Sequence, residues 1–334
     1  MQALELVCPA GGLPALKTAV DNGADCVYTG FRDETNARNF NGLNFDPAAL
    51  AQGVAYAHRN GAKVLVALNT YPQVRNWDKA TAAVDRAAGC GVDAVILADP
   101  GLMEYAAKRH PALALHLSVQ GSATNYEAIN FYRERFGIRR AVLPRVLSLA
   151  QVEQLIAHTD VDIEVFGFGG LCVMVEGRCT LSAYATGVSP NCNGACSPAS
   201  AVRWEQTAAG METRLNGLLI DRFGNDERAG YPTLCKGRFE VDDEVYYAIE
   251  EPTSLNTLEM LPELLRIGVR AVKIEGRQRS PAYVAQVTKV WRAAIDAARK
   301  NPAGFAPLPS WMADLNKVSE GSSHTLGAYH RPWK

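Results

Sequence analysis

One short phrase returns four times along the chain, at Gly23 to Gly30, Gly91 to Ala98, Gly137 to Pro144 and Gly268 to Glu275. Each has a glycine where a helix can end, a polar step, and then an apolar run of strand length. That is the joint between a helix and a buried parallel strand. Helical periodicity fills the intervals at Pro47 to Asn60, Trp77 to Gly89, Tyr126 to Phe136 and Ser148 to His158. Further strand-like runs lie at Leu4 to Cys8, Lys63 to Asn69, Ala114 to Gln120 and Asp162 to Phe168. Together they predict eight strands alternating with about eight helices. Strict alternation implies an α/β fold with a parallel sheet and right-handed crossovers, and eight units favour a closed (β/α)8, TIM-like barrel over an open doubly wound sheet.

The alternation breaks once. After the seventh strand, near Phe168, no helix is predicted until Leu255 to Ile267, and residues 169–254 form a cysteine-rich insert. The expected organisation is a barrel over 1–300, interrupted by that insert, with a tail over 301–334 packed on its surface. Pro302, Pro307 and Pro309 mark where the tail begins. An insert that leaves the carboxyl end of a barrel strand lies on the face where barrel enzymes build their sites.

Composition supports one large core: of 334 residues, 48% are hydrophobic and 21% charged. A formal net charge of −1 supplies no global positive field, so neither nucleic acid nor an anionic membrane surface is an expected partner. The start MQALELVCPAGG lacks a basic region followed by a long apolar stretch, and no window reaches the roughly 18 apolar residues that span a bilayer. The expected location is cytoplasmic, without membrane insertion, and the eight cysteines are expected to stay reduced.

Four of those cysteines, Cys172, Cys179, Cys196 and Cys235, are spaced x6, x16 and x38 within the insert. Structural zinc sites usually draw ligands from close pairs, whereas a cubane carries a separate iron for each thiolate and accepts widely spread ligands. The spacing favours an iron–sulfur cluster, with zinc and no metal as the alternatives. Cys8, Cys26 and Cys90 read as small packed residues, and Cys192 as a bystander in an exposed turn.

Gly167-Phe-Gly169-Gly170-Leu-Cys172 resembles a dinucleotide fingerprint, but its third glycine position holds Cys172, and it reads better as a tight turn delivering that residue. The sequence contains no H-E-x-x-H, G-x-S-x-G or Walker pattern. Candidate substrate contacts are the polar residues at the carboxyl ends of the strands: Asn69, Asp99, Gln120, Arg145, Glu275 and Arg277, with Asn36 and Arg38 after the second strand. Glu176 and Arg178, lying between two candidate ligands, are further candidates for the catalytic set with Arg145 and Arg277.

The segments LVCPAGGLPALKTAVDNGADCVYTG, HLSVQGSATNYEAINFY, GGLCVMVEGRCTLSAY, GACSPA, GYPTLCKGR, KIEGRQRSPAYV and GAYHRPWK resemble the collagenase-like U-type peptidase family over nearly the whole chain. Within it they resemble the members that serve ubiquinone biosynthesis. The resemblance implies a 4Fe-4S cluster on Cys172, Cys179, Cys196 and Cys235, and a heterodimer with a related, UbiV-like subunit. It also implies oxygen-independent hydroxylation of the ubiquinone ring, with prephenate as oxygen donor and a lipid-binding accessory protein presenting the prenylated ring. On this reading Arg145, Arg178 or Arg277 pair with the carboxylates of the donor, because guanidinium forks match carboxylates in bidentate fashion. The other readings are RNA hydroxylation, as in relatives with the same cysteine quartet, a non-catalytic electron-transfer or scaffold subunit, and a peptidase. The last needs a nucleophile–base pair or a metal with an open position.

Overall fold

The computed structural model describes residues 4–40, 42–172, 179–190, 196–227, 229–321 and 323–330. The first half alternates as expected: β1 (Glu5–Pro9), α1 (Leu13–Asp21), β2 (Cys26–Thr29), α2 (Pro47–Arg59), β3 (Lys63–Leu68), α3 (Trp77–Gly89), β4 (Ala94–Leu97), α4 (Pro100–Arg109), β5 (Ala114–Leu117), α5 (Tyr126–Phe136), β6 (Arg140–Val142), α6 (Leu149–Ala157) and β7 (Asp162–Gly170). Helix starts are written locally. Asp46 accepts from Ala49 N and Asp99 from Leu102 N, each just before a proline that opens its helix, and Ser148 with Gln151 forms a capping box. Gly137 ends α5 at φ 71°, where a side chain would be strained.

Two boundaries depart from expectation. The strand predicted to reach Gln120 stops at Leu117, because Ser118 Oγ accepts from Gln120 N and bends the chain into a short 3-10 turn. β7 instead runs past Phe168 to Gly170, so the glycines read as a tight turn are strand.

The next stretch carries α7 (Thr180–Thr186), an antiparallel sheet of β8 (Val202–Thr207), β9 (Gly210–Leu215) and β10 (Leu218–Phe223), and a hairpin of β11 (Phe239–Val241) and β12 (Glu244–Tyr246). Its buried apolar cluster is small: Ala185, Val202, Leu215 and Ile220. The chain returns through β13 (Ser254–Asn256), which runs antiparallel to the end of β7. The helix predicted from Leu255 therefore starts only at Leu261, as α8 (Leu261–Ile267), since residues 254–256 are claimed by that pairing.

β14 (Ala271–Ile274) then closes the ring, pairing in parallel with both β1 and β7. The eight parallel strands β1 to β7 and β14 thus form a closed TIM-like barrel. α9 (Pro281–Lys300) packs along α1, and its Trp291 is fully buried against Gly167. α10 (Pro309–Asn316) packs on α9, and β15 (His324–Thr325) adds beside β13.

Strand alternation divides the core into two parts. Outward side chains such as Val64, Val66, Leu68, Val95 and Leu97 pack under the helices. Inward ones are apolar on one side of the barrel, with Val7, Tyr28, Leu65, Ala67 and Ile96. On the other side they are charged: Arg140 donates to Glu5 at 2.6 Å and Lys273 to Glu164 at 2.6 Å, with His116 buried beside them. Among the described residues no helix is long and apolar enough to cross a membrane.

Candidate functional site

At the carboxyl ends of the strands the barrel opens into a cavity whose lining includes Arg38, Asn69, Gln120, Arg145, Glu275 and Arg277. These are six of the eight strand-end candidates. Asn36 stands behind them, accepting from Arg277 Nη1 at 2.7 Å and from Arg38 N at 3.0 Å. Asp99 is not at the mouth: it is spent on capping α4, accepting from Leu102 N at 2.8 Å. Glu176, Arg178 and Cys192 lie outside the described residues.

Close backbone approaches aim the two residues at the end of β14. A Cβ on Gly11 would meet the Arg277 carbonyl oxygen at 1.9 Å, so only glycine lets the β1–α1 loop pass there. Gly169, at φ +130°, leaves room for the Glu275 side chain, whose Cβ would otherwise be 2.5 Å away.

The mouth is rich in positive charge. Arg145 donates to Glu275 at 2.6 Å and its guanidinium lies 3.6 Å over the Phe166 ring. Lys273, which the sequence reading missed inside an apolar run, reaches the cavity floor between Glu164 and the Tyr28 ring, 4.0 Å from its centroid. Burial lowers the pKa of Lys273, while burial pushes the Glu164 carboxyl up and Lys273 and Arg140 more than offset that, leaving it below the ordinary range. Arg277 differs from both: among the described residues no carboxylate lies within ion-pair distance of it, and burial pulls its pKa down to about 10. Gln120 Oε1 is buried nearby with no hydrogen-bond partner among the described residues. Among the described residues, a guanidinium without a counter-ion and an acceptor without a donor make a pocket suited to an anion that also carries a hydroxyl.

The four insert cysteines come from separate pieces of chain. Cys172 follows β7 by two residues, Cys179 caps α7 and accepts from Ser182 N at 3.3 Å, and Cys235 sits in the turn Leu234–Lys236. Cys196 is fixed by its carbonyl, which accepts from Ser182 Oγ, while Tyr231 donates to the next carbonyl, that of Ser197. Burial pushes the Cys235 thiol up to about 12, and charge on Cys196, Cys172 and Cys179 pushes the same way, with Lys236 opposing. Cys179 is raised by burial and again by Cys196. Cys235 thus lies within electrostatic reach of the other three and Cys179 of Cys196, an arrangement that disfavours thiolates unless a cation sits among them. Among the described residues no three His, Cys, Asp or Glu side chains gather closely enough around one point for a single metal ion. Four thiols drawn from separate pieces of chain are a donor set that could hold either one tetrahedral ion or a cluster in which each thiolate takes its own iron. Lys236 also senses Glu275, so this group stands at the rim of the mouth.

The model of peptidase family U32 matches residues 11–332. The tRNA hydroxylation protein P1 of Bacillus subtilis is 32% identical, over 96% of this chain and 70% of that protein. An uncharacterized protease of Methanocaldococcus jannaschii is 35% identical, over 99% of this chain and 74% of that protein. The 23S rRNA 5-hydroxycytidine synthase of Escherichia coli is 31% identical, over 88% of this chain and 39% of that enzyme.

Proposed function

The chain belongs to peptidase family U32, and on that premise we propose that it is an oxygen-independent hydroxylase subunit, with an iron–sulfur cluster on Cys172, Cys179, Cys196 and Cys235 and a carboxylate-bearing oxygen donor in the barrel mouth. The observation that carries this reading is the buried Arg277, without a carboxylate partner among the described residues, in the same cavity as the orphan acceptor of Gln120. The cluster, when bound, supplies electron transfer. The protein's own residues do the rest. Arg277 holds a donor carboxylate, Gln120 accepts from a donor hydroxyl, and the Arg145–Glu275 pair over Phe166 walls the cavity. The described residues lining the mouth include neither histidine nor cysteine.

Relatives named for tRNA and rRNA hydroxylation support an RNA acceptor. A second reading, a prenylated ubiquinone-precursor ring with a UbiV-like partner subunit and a lipid-binding accessory protein, is supported by the net charge of −1, which offers RNA no broad basic face. The two separate in one assay. The anaerobically purified chain, alone and with its partner, is given prephenate and either bulk tRNA or a prenylated phenol, and hydroxylated product is measured by mass spectrometry. For the mouth itself, Arg277→Met is expected to weaken prephenate binding about 10- to 100-fold in calorimetry, the loss of one charge-assisted hydrogen-bond set. Unchanged affinity would remove the donor from this cavity.

A further inference from the structure

We propose that Glu320, in the C-terminal tail, is a positioning residue that clamps the Cys235 turn to the barrel rim and sets the charge beside the cysteine centre; its metal-related half rests on the iron–sulfur reading above. One carboxylate joins three pieces of chain. Oε2 accepts from Lys236 Nζ at 2.8 Å and Oε1 from Arg279 Nη2 at 3.0 Å. Lys236 is the residue after Cys235, and Arg279 lies two residues beyond Arg277.

The tail is built to hold that carboxylate in place. Glu320 N donates to Ser254 Oγ at 2.8 Å, on the strand paired with the end of β7. Gly321, at φ +66°, turns so tightly against Pro252 that a Cβ would fall 1.5 Å from the Pro252 carbonyl oxygen. β15 then pairs beside β13 through Ser254 and Leu255. Gly170, two residues before Cys172, leaves space on the other side, since a Cβ there would lie 3.1 Å from Glu320 Oε2.

The charges agree with the geometry. The Lys236 side chain is only 12% exposed, so its ammonium needs a fixed counter-ion. Burial pushes the Glu320 carboxyl up, but Lys236 and Arg279 more than offset it and keep it ionised. Remove the carboxylate and a buried ammonium is left beside Cys235 without its ion pair. Remove the lysine and the rim loses a positive charge while Glu320, still paired with Arg279, stays ionised. The two changes therefore act with opposite signs on any redox centre held by the cysteines, which simple loosening of the tail does not.

The test uses the full chain as native protein, Glu320→Gln, Lys236→Met, Lys236→Arg and the double variant Glu320→Gln/Lys236→Met, reconstituted anaerobically with iron and sulfide. Redox titration is expected to give a higher midpoint potential for Glu320→Gln, a lower one for Lys236→Met, an intermediate one for the double variant, and a near-native one for Lys236→Arg. Shifts of the same sign, or no shift, overturn the charge-setting role. The same chains before iron is added are treated with trypsin, and cleavage after Lys236 is followed by mass spectrometry. Glu320→Gln is expected to be cut there several-fold faster than the native chain, and an unchanged rate overturns the clamp. A native chain that takes up no iron overturns the metal reading and the charge-setting half with it, while the trypsin result still decides the clamp.

Discussion

The barrel mouth and the cysteine segment meet at one rim but are ordered by different means. Lys273, Arg145 and Arg277 at the mouth stand on or just after strands of a closed ring that is packed under helices. Its inner charges are paired in the dry interior, Arg140 with Glu5 and Lys273 with Glu164. The insert that carries the four thiols has, among its described residues, a core cluster of Ala185, Val202, Leu215 and Ile220 and strands that expose Trp204, Leu218, Val245 and Tyr246. It is held by caps and ion pairs, among them Asp221–Arg238 and Glu212 with Arg214 and Arg222. Packing preorganises the mouth. The cysteine segment depends on local polar contacts and, on the proposed reading, on a bound cluster, so its order should be conditional where that of the mouth is not.

The sharpest way to break this contrast is to remove a charge from the barrel interior. Glu164 is completely buried and faces Lys273 at 2.6 Å and Arg140 at 3.5 Å. Glu164→Gln leaves two buried cations undercompensated, and urea unfolding is expected to report a loss of about 3–5 kcal/mol. The same carboxylate sets an acid limb. Its folded pKa is depressed, so its contribution is present above the unfolded value and is lost as pH falls through the folded one. A cost below about 1 kcal/mol would mean that the interior charges are not what rigidifies the mouth.

His116 adds a second acid limb of the same sign. Burial, helped by Arg140 and Lys273 and opposed by Glu164 and Glu5, holds its pKa at about 3 against an ordinary value of 6.5, and its Nδ1 has no partner among the described residues. Between those values the unfolded chain binds a proton that the folded chain does not. Stability should then fall with falling pH by up to about 1.4 kcal/mol per unit from this group alone. His116→Asn is expected to flatten the stability curve between pH 6 and 4. A native curve already flat there would show that the barrel interior admits water and protons.

Much of the ring was legible because glycine-hinged apolar phrases mark helix-to-strand joints whatever the tertiary context. The mouth followed from placing Asn69, Gln120, Arg145, Glu275 and Arg277 at strand ends. Lys273 escaped because it interrupts an apolar run only once. Its parity with the inward-facing Ala271 was the available signal, since period two puts both on one face. Asp99 was misplaced although Asp99-Pro100 is itself an N-cap signature. β13 has no local signature at all, because three residues acquire strand geometry only from pairing with the end of β7. Glu320 was invisible for the same reason: its partners lie 84 and 41 residues away.

The smallest expected effect sharpens the comparison most. Asp221 in the cysteine segment is buried and accepts from Arg238 Nε at 2.7 Å, which by geometry alone looks like Glu164. Its pKa nonetheless moves the other way: burial raises it by more than Arg238 lowers it. A carboxylate raised in the fold weakens the folded state above that pKa, and the penalty is relieved as pH falls. Asp221→Asn should therefore change urea stability by less than about 1 kcal/mol, against several for Glu164→Gln. A loss as large as that of Glu164→Gln would place the two regions on the same footing and make the segment as firmly built as the barrel. A near-neutral result leaves its order to the caps, to the Glu320 clamp and to the cluster proposed for the thiols.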